Sequence, residues 1–325
     1  MKERVARWWA ELPPAAGSAV MATGILSVGF HLTGRETVSR VLFGLACVVW
    51  VLLAGDFAHR LLRSRPRWVA EADTPPALTA VAATTVLGVR VALLGWTTTA
   101  AVLLALSAVL WAPLLGAVLR HVGRRMPGGV FLICVATQGL VVLAATLAVP
   151  PADRDWLART GLVFFVLGLL LYAAALFRFD FRQVTEGAGD QWVAGGALAI
   201  SALAGSKLLA TGVWAGTGAH TALRTVTLIL LAGDLAWYVA LLAAELLRRR
   251  PGYDLRRWAT VFPMGMTSVA CLSTSAATAI GWLDGLGQVL LWIVTAAWLV
   301  TLALMVRTLP ARTRDPFVSP GSDFR

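Results

Sequence analysis

The stretch Trp258–Cys271, WATVFPMGMTSVAC, decides how the chain is to be read. It is too apolar for a loop, yet it carries Pro263, two methionines, Gly265, Thr267 and Ser268. A proline inside a helix removes one backbone N–H and clashes with the preceding turn, so a helix through Pro263 kinks there. In a bilayer that defect is tolerated where the backbone is buried in protein or lines a wet cavity. Phe262 sits directly on the kink. These residues together predict the narrow point of a pore, with Phe262, Pro263 and Gly265 at the constriction.

Composition sets the frame for that stretch. Of 325 residues, 58% are hydrophobic and only 14% charged, and the mean hydropathy is +0.75. A soluble domain has nearer a quarter of its residues charged, so this is a polytopic membrane chain. The net charge of +11 does not indicate nucleic acid, because the basic residues sit in short loops between apolar runs. The 14 Trp suit anchoring at lipid interfaces. Cys47, Cys134 and Cys271 lie alone in separate apolar runs, and His31, His59, His121 and His220 are scattered. Neither set has the spacing of a disulfide framework or a metal site, so no cofactor is expected. No nucleophile–base pair is evident either, which argues against an enzyme.

Apolar windows of about 20 residues fit a hydrocarbon core about 30 Å thick. Ten occur, at about 15–32, 40–61, 75–94, 97–119, 128–149, 157–177, 192–213, 222–246, 259–281 and 286–306. The linkers are short, so the windows read as five helical hairpins. Residues 1–14 form a basic, amphipathic lead-in, 15–307 one membrane domain, and 308–325 a tail. The start mimics a signal peptide, but no small-residue cleavage site follows it. Of the 28 Lys and Arg, Arg35, Arg40, Arg154, Arg159 and Arg224 fall on one side, Arg90 and Lys207 lie within spans, and all the others fall on the opposite side. By the positive-inside rule both termini are cytoplasmic and the protein is a multi-pass component of the cytoplasmic membrane.

Odd and even spans differ in kind. The odd ones hold the small, polar and helix-breaking residues, whereas the even ones are plain runs such as LLWIVTAAWLVTLALM (residues 290–305). Plain helices can face lipid, while polar positions must face protein or water. The expected fold is an all-α bundle with five odd helices inside five even ones. All five odd helices run the same way, so their N-termini, with free N–H groups and partial positive charge, share one face and favour anions.

Candidate residues follow from that arrangement. Lys207 and Arg90 are intramembrane cations at matching depth. Lys207 offers a point charge and Arg90 a bidentate grip on a carboxylate, while snorkelling or pairing with a carboxylate is the structural alternative. Thr23, Ser27, Gln138, Ser201, Ser206 and Thr267, with Thr137 and Ser268, either join helices or replace part of an anion's hydration shell. Asp56 and Asp234 end a repeated LLAGD (residues 52–56 and 230–234). Each is either a structural partner or a proton-coupling carboxylate.

Four stretches, MATGILS (Met21–Ser27), VATQGLVVLA (Val135–Ala144), QWVAGGALAISALAG (Gln191–Gly205) and VFPMGM (Val261–Met266), resemble spans one, five, seven and nine of the tellurite-resistance/C4-dicarboxylate transporter family. That family includes the plant guard-cell slow anion channel, fungal malate permeases and fungal sulfite efflux pumps. The resemblance covers essentially the whole chain and implies a pseudo-five-fold bundle of ten helices, a central pore lined by the odd helices, and a homotrimer with one pore per subunit. It implies that the phenylalanine on the kinked ninth helix, here Phe262, plugs the pore. It also implies small anionic substrates, C4-dicarboxylates such as malate first, with sulfite, chloride or nitrate as alternatives.

Overall fold

Within lipid, a chain must satisfy its backbone hydrogen bonds internally, as helices or as a closed barrel. In the computed structural model this chain does so with helices. The structure describes residues 14–63, 65–149, 154–248 and 252–312. The lead-in 1–13 (with Lys2, Arg4, Arg7 and Pro13), Arg249, Arg250 and the tail from 313 (with Arg314 and Arg325) lie outside the described residues.

Ten long helices carry the architecture. The odd-numbered ones are α1 (Gly17–Leu32), α3 (Thr79–Leu93), α5 (Leu132–Ala148), α7 (Val193–Ala210) and α9 (Trp258–Thr278). The even-numbered ones are α2 (Glu36–Arg63), α4 (Thr97–His121), α6 (Asp155–Arg178), α8 (Gly218–Leu247) and α10 (Trp282–Arg312). The odd helices have 15 to 21 residues and the even ones 24 to 31. At 1.5 Å per residue, α1 with its 16 residues spans only about 24 Å. A helix wrapped in protein need not cover the hydrocarbon thickness by itself, whereas a lipid-facing one must.

Each odd helix is entered through a short 3₁₀ turn: Pro14–Ala16, Pro75–Leu78, Gly128–Phe131, Asp190–Trp192 and Leu255–Arg257. No 3₁₀ turn leads into an even helix among the described residues. The sequence explains two of the turns directly, since a proline fixes φ and has no N–H to leave unpaired at a helix start. The turns of α1, α3, α5 and α7 pack in succession, and that of α9 packs against that of α1. All five odd helices therefore begin on one face of the molecule.

The odd helices close a ring. Helix α1 packs on α3, α3 on α5, α5 on α7, α7 on α9, and α9 back on α1. Each even helix packs on its own odd partner and on the next odd helix, including α10 on α1. Of the most apolar eighteen residues of each helix, 78% to 94% are buried in α3, α5 and α7, against 6% to 28% in the even helices. Lipid gives no hydrophobic drive between helices, so close packing at small residues has to hold the rings together. Gly265 shows it: a Cβ there would lie 2.8 Å from Ile25 Cγ2 on α1.

The helix limits depart from the apolar windows in a regular way. The second, eighth and tenth helices run several residues past their windows, because polar first and last turns such as Glu36 and Gly218 continue the helix. The seventh and ninth stop three residues short of theirs. At the end of α9, Ala279 takes a left-handed conformation with φ 59° that terminates the helix. By length and composition eight of the helices qualify as membrane spans. The other two are α1, which is short, and α9, whose proline, serines and threonines dilute its apolar character.

Candidate functional site

The axis of the inner ring holds a cavity whose walls come from all five odd helices and from no even helix. Its lining is Ile25 and Val28 of α1, Thr85, Val86 and Val89 of α3, Gly139 and Val142 of α5, Ile200, Leu203 and Lys207 of α7, and Met266 of α9. Its volume is about 20 Å³, enough for roughly one water molecule. Apart from Thr85, which adjoins Val86, successive lining positions on one helix fall three or four apart, on a single face. The lining is apolar except for Thr85 and Lys207.

Lys207 lies in the last turn of α7. Among the described residues it makes no hydrogen bond and no ion pair. Phe262 is 1% exposed and precedes Met266 by four residues. It therefore lies on the face of α9 that meets the axis, one turn nearer the face where the odd helices begin. Pro263 follows it inside the helix and packs against Gly196 of α7, where a Cβ would lie 2.8 Å from the proline Cβ. That approach requires glycine.

The second intramembrane cation is placed differently. Arg90 is fully buried and turns to α2: its NH2 donates to Glu36 Oε1 at 2.5 Å and its Nε to Ser39 Oγ at 2.9 Å. Glu36 also bonds His31 Nδ1 at 2.7 Å and Arg40 Nε at 3.1 Å. One guanidinium nitrogen, NH1, has no partner. Ser27 and Ser39 exchange reciprocal bonds at 2.7 Å, each hydroxyl to the other's carbonyl.

The remaining polar candidates are bonded within or between helices. Thr23 accepts Trp298 Nε1 at 3.0 Å, Thr137 accepts Trp111 Nε1 at 2.9 Å, and Thr84 accepts Trp50 Nε1 at 2.9 Å. Each is a bond from an even helix to the next odd one. Gln138 donates to the Phe165 carbonyl of α6 at 3.1 Å. Ser201 donates to the Ala197 carbonyl at 2.7 Å, Ser206 bonds Thr274 at 2.8 Å, and Ser268 donates to the Gly287 carbonyl at 2.7 Å. Thr267 donates to Asp234 Oδ1 at 3.1 Å. Of the candidate anion-binding residues, Lys207 is the one the axial cavity includes.

The two LLAGD copies end in different surroundings. Asp56 pairs with Arg60 at 2.7 Å, and Arg60 in turn holds Glu71 at 2.8 Å. They line a second, larger cavity of about 310 Å³ between α1, α2, α3, α4 and the short helix Arg65–Ala72. Asp234 is buried between α7, α8 and α9.

Sequence reasoning looked for hydroxyls on the axis and missed its apolar walls. The signal was present as branched apolar residues three apart, Ile25–Val28, Val86–Val89 and Ile200–Leu203, with Lys207 four residues further on. The tryptophans of the even helices were the matching signal for where the threonines turn.

Among the described residues, ten long helices in two concentric rings define a multi-pass membrane protein. The family model described as SLAC1, voltage-dependent anion channel, matches residues 11–306, and the chain belongs to that family. No curated protein matches the chain.

Proposed function

We propose that small anions cross the membrane along the axis of the five inner helices, with Phe262, Pro263 and Gly265 forming the gate and Lys207 meeting the anion. The observation that carries this is a cavity bounded only by inner helices, with the side chain of Lys207, which has no ion pair or hydrogen bond among the described residues, along its wall. A cation at the centre of a membrane helix costs about 2.5–3.5 kcal/mol on insertion scales, and Lys207, in the last turn of α7, stands to cost less than that. An intramembrane cation kept without a carboxylate partner points to an anionic ligand. Five helix N-termini on one face add a favourable field at one mouth. The apolar lining resists water, so the anion's attraction to Lys207 acts at short range in a poorly screened space.

Arg90, Thr23, Ser27, Gln138, Ser201, Ser206 and Thr267 then serve to join helices, since each already has a protein partner. The charge asymmetry of the loops places the N-terminal face of the inner helices, and both termini, in the cytoplasm. The family resemblance favours a homotrimer in the cytoplasmic membrane.

Substrate charge follows from the same geometry. One lysine balances one negative charge, and a second carboxylate among Val, Ile and Leu would lose its hydration without compensation. Chloride, nitrate, hydrogen sulfite and singly protonated dicarboxylates fit best. The malate dianion is the second reading, favoured by the likeness of VFPMGM and GALAIS to malate and sulfite carriers. Asp56 is already ion-paired, and Asp234 lies off the axis, so flow is passive rather than proton-coupled.

The test is anion flux in reconstituted vesicles, with and without a pH gradient, for wild type and Phe262→Ala. The variant is expected to leak more of every permeant anion, with no effect of the gradient. A folded variant with unchanged flux removes Phe262 as the gate, and flux driven by the gradient replaces the channel with a coupled carrier.

A further inference from the structure

Asp234 differs from the other acidic residues described above within the spans. Glu36 meets Arg90 and Asp56 meets Arg60, but Asp234, 1% exposed, faces no cation among the described residues. Its Oδ1 accepts from Thr267 Oγ1 at 3.1 Å, and its Oδ2 has no hydrogen-bond partner. The titratable groups around it are Tyr238 on its own helix, Tyr172 from α6 and Cys271 from α9. From α7 comes Gly195, where a Cβ would lie 3.7 Å from Oδ1.

The bond to Thr267 bears on the kink. The Thr267 hydroxyl has a single hydrogen and two acceptors within reach, Asp234 Oδ1 at 3.1 Å and the Pro263 carbonyl at 3.2 Å. Pro263 is the residue that leaves α9 one backbone N–H short, and Phe262 is its neighbour. The other side of the kink is held by Gly196, which admits the proline ring. So α7 and α8 meet the proline turn of α9 from two directions.

Three of the other inner helices make this contact differently. At α1, α3 and α5 the threonine donates to the carbonyl four residues earlier, at 2.7–2.8 Å, and accepts an indole N–H from the neighbouring even helix. At α9 the outer helix offers a carboxyl group instead. The threonine then has two acceptors for its one hydrogen, that carboxyl and the Pro263 carbonyl. Of the four inner helices with such a threonine, the one whose outer partner is a carboxyl group is the one that carries Pro263.

We infer that Asp234 is a positioning residue for the gate: by competing with the Pro263 carbonyl for the Thr267 hydroxyl, it sets how far the turn carrying Phe262 opens. This rests on Phe262 being the gate. The experiment is a double-mutant cycle on chloride and nitrate flux, with Asp234→Ala, Asp234→Asn and Thr267→Val each made in the wild-type and Phe262→Ala backgrounds. It is accompanied by electron cryomicroscopy maps of the same proteins in lipid nanodiscs.

Asp234→Ala and Thr267→Val are expected to change flux by at least about fivefold, which corresponds to about 1 kcal/mol. Asn keeps an acceptor at Oδ1, so Asp234→Asn should restore near wild-type flux. On the Phe262→Ala background the effects should vanish, and the Asp234→Ala map should show the Phe262 ring displaced. If Asp234→Ala does not fold, Thr267→Val decides, since it removes one hydroxyl and keeps the shape. Wild-type flux with the ring in place, an Asn variant as impaired as Ala, or full effects without Phe262 would each overturn the inference. Should Phe262→Ala itself leave flux unchanged, the gate reading fails, and the ring's position in the maps alone decides whether Asp234 positions the turn.

Discussion

Replacing Lys207 with methionine separates a ligand-binding cation from a structural one. Methionine fills similar space and removes the charge. At 4 Å, a unit charge pair is worth about 4 kcal/mol at an effective dielectric of 20 and about 1 kcal/mol in bulk water. Part of that attraction is spent stripping water from the anion, so a net loss of about 1–2 kcal/mol is reasonable, a factor of about 5–30. The assay is the concentration dependence of chloride and nitrate flux, with the reversal potential under a salt gradient. Half-saturation should rise by that factor, and selectivity for anions over cations should fall. Stability should move the other way, because Lys207 has no partner to lose among the described residues and its burial in the last turn of α7 is a cost, smaller than the roughly 2.5–3.5 kcal/mol of a helix centre. A thermal midpoint higher by about 2–5 °C is expected. A folded Lys207→Met protein with unchanged saturation and selectivity would refute the reasoning, as would one that is destabilised.

Arg90→Met should do the opposite. It takes from Glu36 one of its three partners and breaks the tie between α2 and α3, so the protein should be destabilised. Thermal unfolding in detergent should show the loss while anion selectivity stays the same. Gly196→Ala drives a Cβ into Pro263, and overpacking of that kind costs about 1–3 kcal/mol. Because it presses on the kink, it should also alter flux, whereas Gly44→Ala, with open space around it, should alter neither stability nor flux.

Much of the architecture was legible because lipid leaves the chain few choices. The spacing of apolar runs located ten helices, and the Gly, Ser and Thr of the odd runs marked them as protein-facing. What the sequence hid was the direction in which each polar side chain turns. Thr23 and Ile25 lie two residues apart on α1, so they point about 160° away from each other. Composition cannot say which of them meets the axis. The structure turns Thr23 to Trp298 and Ile25 to the cavity. Arg90 and Lys207 looked alike in depth and chemistry. They part because Glu36 and Ser39, more than fifty residues earlier, happen to stand beside one of them. Pairing over that distance has no local signal.

The most direct test of the axial path is chemical access to it. In a protein with Cys47, Cys134 and Cys271 replaced by alanine, Val142→Cys places a thiol in the axial cavity and Val163→Cys, 67% exposed on α6, places one on the outer surface. An anionic methanethiosulfonate applied from both sides, with anion flux recorded before and after, reads which thiol lies on the route. Block at position 142 with no effect at 163 is the predicted result. Flux that survives modification of 142, or that is stopped from 163, would contradict an anion path through the inner ring.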